Sequence, residues 1–104
     1  MGKYRVHLSE PAENDLRDIV RYISAALASP ISAGKMMDII QQAISDLAAM
    51  PHRCPSVRDE RLAMLGYHKL LVENYVIFFT VDEKAKIIDI ERILFARRDW
   101  QRIL

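Results

Sequence analysis

Two apolar runs held a short polar turn apart constrain this chain more than anything else in it. Residues 75–81 read YVIFFTV, and beyond Asp82-Glu83-Lys84-Ala85 the chain continues as KIIDIERILF to Phe95. The first run is almost continuously apolar and rich in β-branched and aromatic residues, which suits a strand buried on both faces. The second alternates, with Ile88, Ile90 and Leu94 on one parity and Asp89 and Glu91 on the other. Two such runs joined by a turn predict an antiparallel hairpin at the middle of a sheet. The second strand delivers Arg97, Arg98 and Trp100 just past its end. A rigid strand ending in a basic and aromatic cluster is a suitable mount for a functional site.

The remaining segments supply the hairpin's partners. Tyr4, Val6 and Leu8 alternate with Lys3, Arg5 and His7, as in a half-buried strand. Ser9 is placed to cap a helix, and Pro11 is tolerated in its first turn. Ala12, Leu16, Ile19, Val20, Ile23 and Leu27 recur at helical spacing, which assigns Glu13, Asp15, Arg17, Asp18 and Arg21 to the water-facing side. Ser29-Pro30 starts a second helix, with Ala33, Met36, Ile40, Ala43, Ile44, Leu47 and Met50 on its apolar face and Pro51 as its stop. Residues 51–65 have no clear period and read as a loop with a short helical turn at 59–65. Gly66 opens a strand over 67–72, and Glu73-Asn74 makes a tight turn into Tyr75. The order predicts an α+β fold: an N-terminal strand, an antiparallel helical hairpin, then an antiparallel three-stranded meander with the helices on one face.

At 104 residues the chain is expected to form one domain, 1–104. Its 51% hydrophobic and 28% charged residues exclude a disordered chain. No apolar run is long enough to span a bilayer, the amino terminus has no apolar signal region, and Cys54 is the only cysteine, so a cytoplasmic protein without an internal disulfide is expected. The formal net charge of +1 selects no partner, but basic residues cluster in 53–61 and 92–102, which points to an anionic one. With only Gly2, Gly34 and Gly66 there is no phosphate-binding loop or dinucleotide fingerprint, and no His or Cys pair has metal-ligand spacing. No cofactor and no metal are therefore expected.

The chain resembles the RelE/ParE superfamily of bacterial type II toxin–antitoxin toxins, the plasmid stabilisation type, over nearly its whole length. The resemblance lies in LSEPAENDLRDIVRYI (8–23), SPISAGKMMDIIQQAISDLAAMPHRCP (29–55), GYHKLLVENYVIFFTVDE (66–83) and IERILFARRDWQRIL (90–104). It implies a cognate antitoxin that wraps the toxin in a hetero-oligomer and neutralises it. It also implies one of two targets. RelE-like members resemble ribosome-dependent mRNA endonucleases, and ParE-like members act on DNA gyrase. The RelE pattern has basic residues on the central strands, an Arg past the last strand and a Tyr near the terminus. Here Arg97 matches the Arg, Trp100 stands near the Tyr position, and Val76 occupies a strand position where RelE-like members carry an Arg. The ending RILFARRDW resembles the ParE type, with Phe95 in place of the usual His. Many relatives have Gly-Tyr-Arg where this chain has Gly66-Tyr67-His68, so an attenuated toxin that only holds its antitoxin is a further alternative. The ParE-like reading is preferred.

Metal-free RNA cleavage needs a base, an acid and cations for the charged phosphorane. In that reading His68 serves as base or acid, Arg97 and Arg98 clamp phosphate, Trp100 stacks on a base, and Lys69, Arg92 and Arg102 contribute to binding. The plainer alternatives are an edge-strand histidine at 68, a solvated Arg97-Arg98 pair and a Trp100 packed on the helices. Arg92 shares parity with apolar residues and needs a partner, expected from the first helix or from Asp99.

Overall fold

The structure is a computed structural model that describes residues 4–26, 30–49 and 60–96. Arg97, Arg98, Trp100 and Arg102 lie outside the described residues, as do Leu27, Ser29, Met50 and Cys54. The elements run β1 (Arg5–Leu8), α1 (Glu10–Ala26), α2 (Pro30–Ala49), α3 (Glu60–Met64), β2 (His68–Val72), β3 (Tyr75–Asp82) and β4 (Ile87–Phe95). The strands form one four-stranded sheet in the order β1-β4-β3-β2. The meander β2-β3-β4 is antiparallel, while β1 lies parallel to β4, pairing Arg5 with Ile87 through to Leu8 with Ile90.

Local chemistry accounts for these boundaries. The Ala12 amide donates to the Ser9 hydroxyl at 3.2 Å, the bond expected of a helix N-cap. The Asp82 carboxylate accepts the Lys84 and Ala85 amides, each at 3.0 Å, and closes the polar turn between β3 and β4. Gly66 sits at φ 85°, just past α3. Its amide reaches the Ala63 carbonyl at 3.0 Å and the Tyr67 amide reaches Leu62 at 3.1 Å, so the helix ends in a Schellman motif that favours glycine.

The hairpin is central, as its composition predicts. Tyr75 through Phe79 are all buried because β3 is covered on both faces. On one face Tyr75, Ile77 and Phe79 join Ile88, Ile90 and Ile93 of β4 and the inner sides of α1 and α2, led by Ile19, Ile23, Ile40 and Leu47. On the other face α3 sets Leu62 against Val76, Phe78 and Leu94.

One expectation fails in β4. Ile88, Ile90 and Leu94 do not share a face: Ile88 and Ile90 meet the helices, whereas Leu94 lies under α3. The ladder pairs Phe78 with Arg92 but Phe79 with Ile90, which leaves Glu91 as an extra residue. This β-bulge shifts the alternation by one, so every later side chain changes face. A second correction concerns Asp15. It is not a water-facing residue but the one buried charged side chain among the described residues, at 9% exposure.

Candidate functional site

β1 is four residues long and β4 is nine, so the outer edge of β4 continues past its partner. An uncovered strand edge leaves backbone groups without partners. Here the start of α1 supplies them. The Ser9 amide donates to the Ile90 carbonyl at 3.0 Å, and its hydroxyl donates to the Glu91 carbonyl at 2.9 Å. One turn further on, Asp15 Oδ2 accepts the Ile93 amide at 3.0 Å.

The same carboxylate holds Arg92. Nε donates to Oδ2 at 2.7 Å and an Nη to Oδ1 at 2.8 Å, a bidentate pair with side chains 10% and 25% exposed. Donating these hydrogen bonds to Asp15 raises the guanidinium pKa above its ordinary value, against the opposing effect of burial. Of the two partners proposed for Arg92, the acid of the first helix is the one observed. On the strand's other side, the Thr80 hydroxyl donates to Glu91 Oε2 at 3.0 Å. The importance of Asp15 was missed from the sequence, although a signal exists. Asp15 lies three residues after Ala12 and four before Ile19, inside the apolar stripe of α1.

The described members of the nuclease constellation are not brought together. His68 shares parity with Leu70 and Val72, which pack toward the helices, and its ring stacks on Phe79 with centroids 5.4 Å apart. Its Nδ1 is buried with no hydrogen-bond partner among the described residues. Lys69 pairs in register with Phe78 and therefore faces the α3 side. His68 and Lys69 thus project from opposite faces of β2, and Arg92 is occupied by Asp15. Val76 is 7% exposed beneath Leu62, so that position is an apolar plug. Tyr67 flanks this cluster, and burial, aided by the charge of Glu91, pushes its phenol above the ordinary pKa.

A groove of about 720 Å³ opens between the helical hairpin and the β3–β4 end of the sheet. Ile19, Tyr22, Met36, Tyr75 and Phe95 line it, with Asp15 and Asp18 along one wall. Tyr75 and Phe95 meet edge to face at 5.9 Å, while Tyr22 is 68% and Phe95 41% exposed. Among the described residues no group of three or more His, Cys, Asp or Glu is placed to hold a metal ion, and no helix is long and apolar enough to cross a membrane.

Residues 6–100 match the family model described as ParE toxin of type II toxin-antitoxin system, parDE. The chain belongs to the ParE toxin family. Two solved structures share the fold. One, described as the chromosomal ParDE toxin–antitoxin system from Pseudomonas aeruginosa, is 21% identical with a TM-score of 0.75, over 93% of this chain and all of that one. The other is the toxin–antitoxin complex RelBE2 from Mycobacterium tuberculosis, 21% identical with a TM-score of 0.62, over 89% of this chain and 98% of that one. No protein of curated function matches the sequence. The open sheet with an N-terminal strand, helices and an antiparallel meander is the architecture of these ParE- and RelE-like toxins.

Proposed function

We propose that this ParE-family toxin arrests bacterial growth by acting on DNA gyrase as an interaction protein, not as a nuclease, and that a cognate antitoxin neutralises it. One observation carries the choice. The sheet face on which RelE-like relatives would carry a strand arginine is filled here by Val76, Phe78 and Leu94 under Leu62 of α3. A filled apolar face has no room for a scissile phosphate. The opposite orientations of His68 and Lys69, and the pairing of Arg92 with Asp15, support the same reading.

The gyrase contacts in this reading are the outer surface of the helical hairpin, where Ile31 and Ile39 are exposed, and residues 97–104. The antitoxin contacts are the groove between hairpin and sheet and the outer edge of β2, features that suit a segment which orders on binding. Induced expression without antitoxin, followed by microscopy, RNA mapping and a supercoiling assay with purified gyrase, tests this. Filamented cells, intact mRNA and blocked supercoiling are expected. Cleaved mRNA that depends on Arg97 would replace the reading with the RelE-like nuclease. Normal growth with folded protein would leave the attenuated toxin, with His68→Arg the first reversion.

A further inference from the structure

The groove between the helical hairpin and the sheet has a one-sided chemistry. Among the described residues the charged side chains that line it are Asp15 and Asp18, both acids. Asp15 is taken up by Arg92 and the Ile93 amide. Asp18 is less committed. Its carboxylate meets Arg21 at 3.7 Å, beyond hydrogen-bond reach, with side chains 74% and 76% exposed. Water screens such a pair, and it gives way readily to a better one. Tyr22 follows Asp18 by four residues, so the two are neighbours on the surface of α1. Across the groove Tyr75 and Phe95 meet at an interplanar angle of 64°. Tyr22 stands near enough to Tyr75 for its charge to add to the rise in the Tyr75 pKa that burial causes. Ile19, Met36 and Ile93 supply an apolar lining from three elements. An acid beside an aromatic ring attracts a cation, and the apolar lining takes an aliphatic side chain. A guanidinium fits better than an ammonium, because it is planar, stacks on rings and forks onto a carboxylate.

We infer that the groove receives an arginine of the antitoxin flanked by an aliphatic residue, the guanidinium held by Asp18 and the ring of Tyr22 and the aliphatic side chain by Ile19, Met36 and Ile93. Asp18 and Tyr22 are then the residues that select an antitoxin by its charge, while the apolar lining supplies contact area to any aliphatic segment. Arg21 releases Asp18 when the antitoxin arginine arrives, since an exposed ion pair at 3.7 Å is easily exchanged for a bidentate one. The choice of occupant rests on the proposal that the antitoxin orders in this groove. The preference for a cation rests on the groove alone.

Two peptides test the chemistry separately from the partner. Acetyl-Leu-Arg-Leu-amide carries the cation, and acetyl-Leu-citrulline-Leu-amide has nearly the same shape without the charge. Each is titrated through the millimolar range into the folded toxin, and the groove side chains are followed by NMR. The arginine peptide should shift Tyr22, Tyr75 and Phe95. Citrulline should weaken binding about five- to tenfold, and Asp18→Asn and Tyr22→Leu about threefold each. Both substituted side chains are largely exposed, at 74% and 68%, so the variants fold. Asp38→Asn removes the same charge from α2 away from the groove and should leave binding unchanged. Equal binding of the two peptides, an equal effect of Asp38→Asn, or no shift at the groove would overturn the inference. With the antitoxin itself, Asp18→Arg should weaken binding measured by calorimetry, and changing one antitoxin arginine to glutamate should recover it. Recovery by none of its arginines would overturn the antitoxin arginine as the occupant. If the antitoxin does not bind the unaltered toxin, the proposal that it docks here fails, while the peptides still decide the cation preference.

Discussion

Replacing Arg92 with alanine leaves the Asp15 carboxylate, 10% exposed, with the Ile93 amide as its one remaining partner among the described residues. Two charge-assisted hydrogen bonds of 2.7 and 2.8 Å are lost. Breaking a buried ion pair from one side costs about 3–5 kcal/mol, mostly because the other charge stays desolvated. Arg92 is a quarter exposed and the Ile93 amide remains, so about 2–3 kcal/mol is expected. For a domain of this size that corresponds to a fall in Tm of roughly 10–20 °C. Asp15→Ala removes the same pair and also strands the amide of Ile93, a residue only 1% exposed, at a further cost of about 1–3 kcal/mol. Once Asp15 is alanine, no carboxylate is left behind when Arg92 is removed. The double variant should therefore fall short of the summed single effects by about 1–2 kcal/mol. Urea and thermal denaturation of all four proteins give the cycle. Additivity within about 0.5 kcal/mol would refute the view that Asp15 and Arg92 act as a unit.

Three further outcomes are expected. Phe78→Ala empties the centre of the α3-side cluster and should cost about 3–5 kcal/mol by denaturant titration, since Phe78 is fully buried. Gly66→Ala meets no atom within 4 Å, so its effect is confined to the backbone at φ 85°, and a loss of about 1 kcal/mol is expected from thermal unfolding. Stability should also decline at alkaline pH. Burial lifts the phenols of Tyr67 and Tyr75 above their ordinary value of 10.0. A pKa raised in the folded state contributes stability below the unfolded value and loses it as pH rises through the folded one. Tm should therefore hold up to about pH 10 and fall beyond it, and Tyr67→Phe/Tyr75→Phe should flatten the fall.

The elements were legible because their signals are local. The period of α1 and α2, the Ser9 cap, the Glu73-Asn74 turn and the uniformly apolar β3 each reside in a few consecutive residues. The family resemblance rests on the same stretches in the same order, and the match over 6–100 agrees with it. The site was less legible. His68 and Lys69 are neighbours in sequence, yet strand alternation separates them to opposite faces. Arg92 was recognised as needing a carboxylate, and Asp15 was available inside the apolar stripe of α1. Pairing the two required knowing that α1 starts where β1 leaves the edge of β4 open.

Sequence by itself thus determined the composition of the hairpin, the helix pair, the two-sided burial of β3 and membership of the toxin family. Tertiary structure alone decided the phase of β4. The bulge at Glu91 carries Arg92 off the face of Ile88 and Ile90, while Ile93, Leu94 and Phe95 are apolar on either parity and do not mark it. Beside the bulge stands a carboxylate 77 residues away in sequence from Arg92, aligned with a backbone amide and a guanidinium at hydrogen-bond distance. Such contacts depend on where three elements meet, and no local window of the chain contains them.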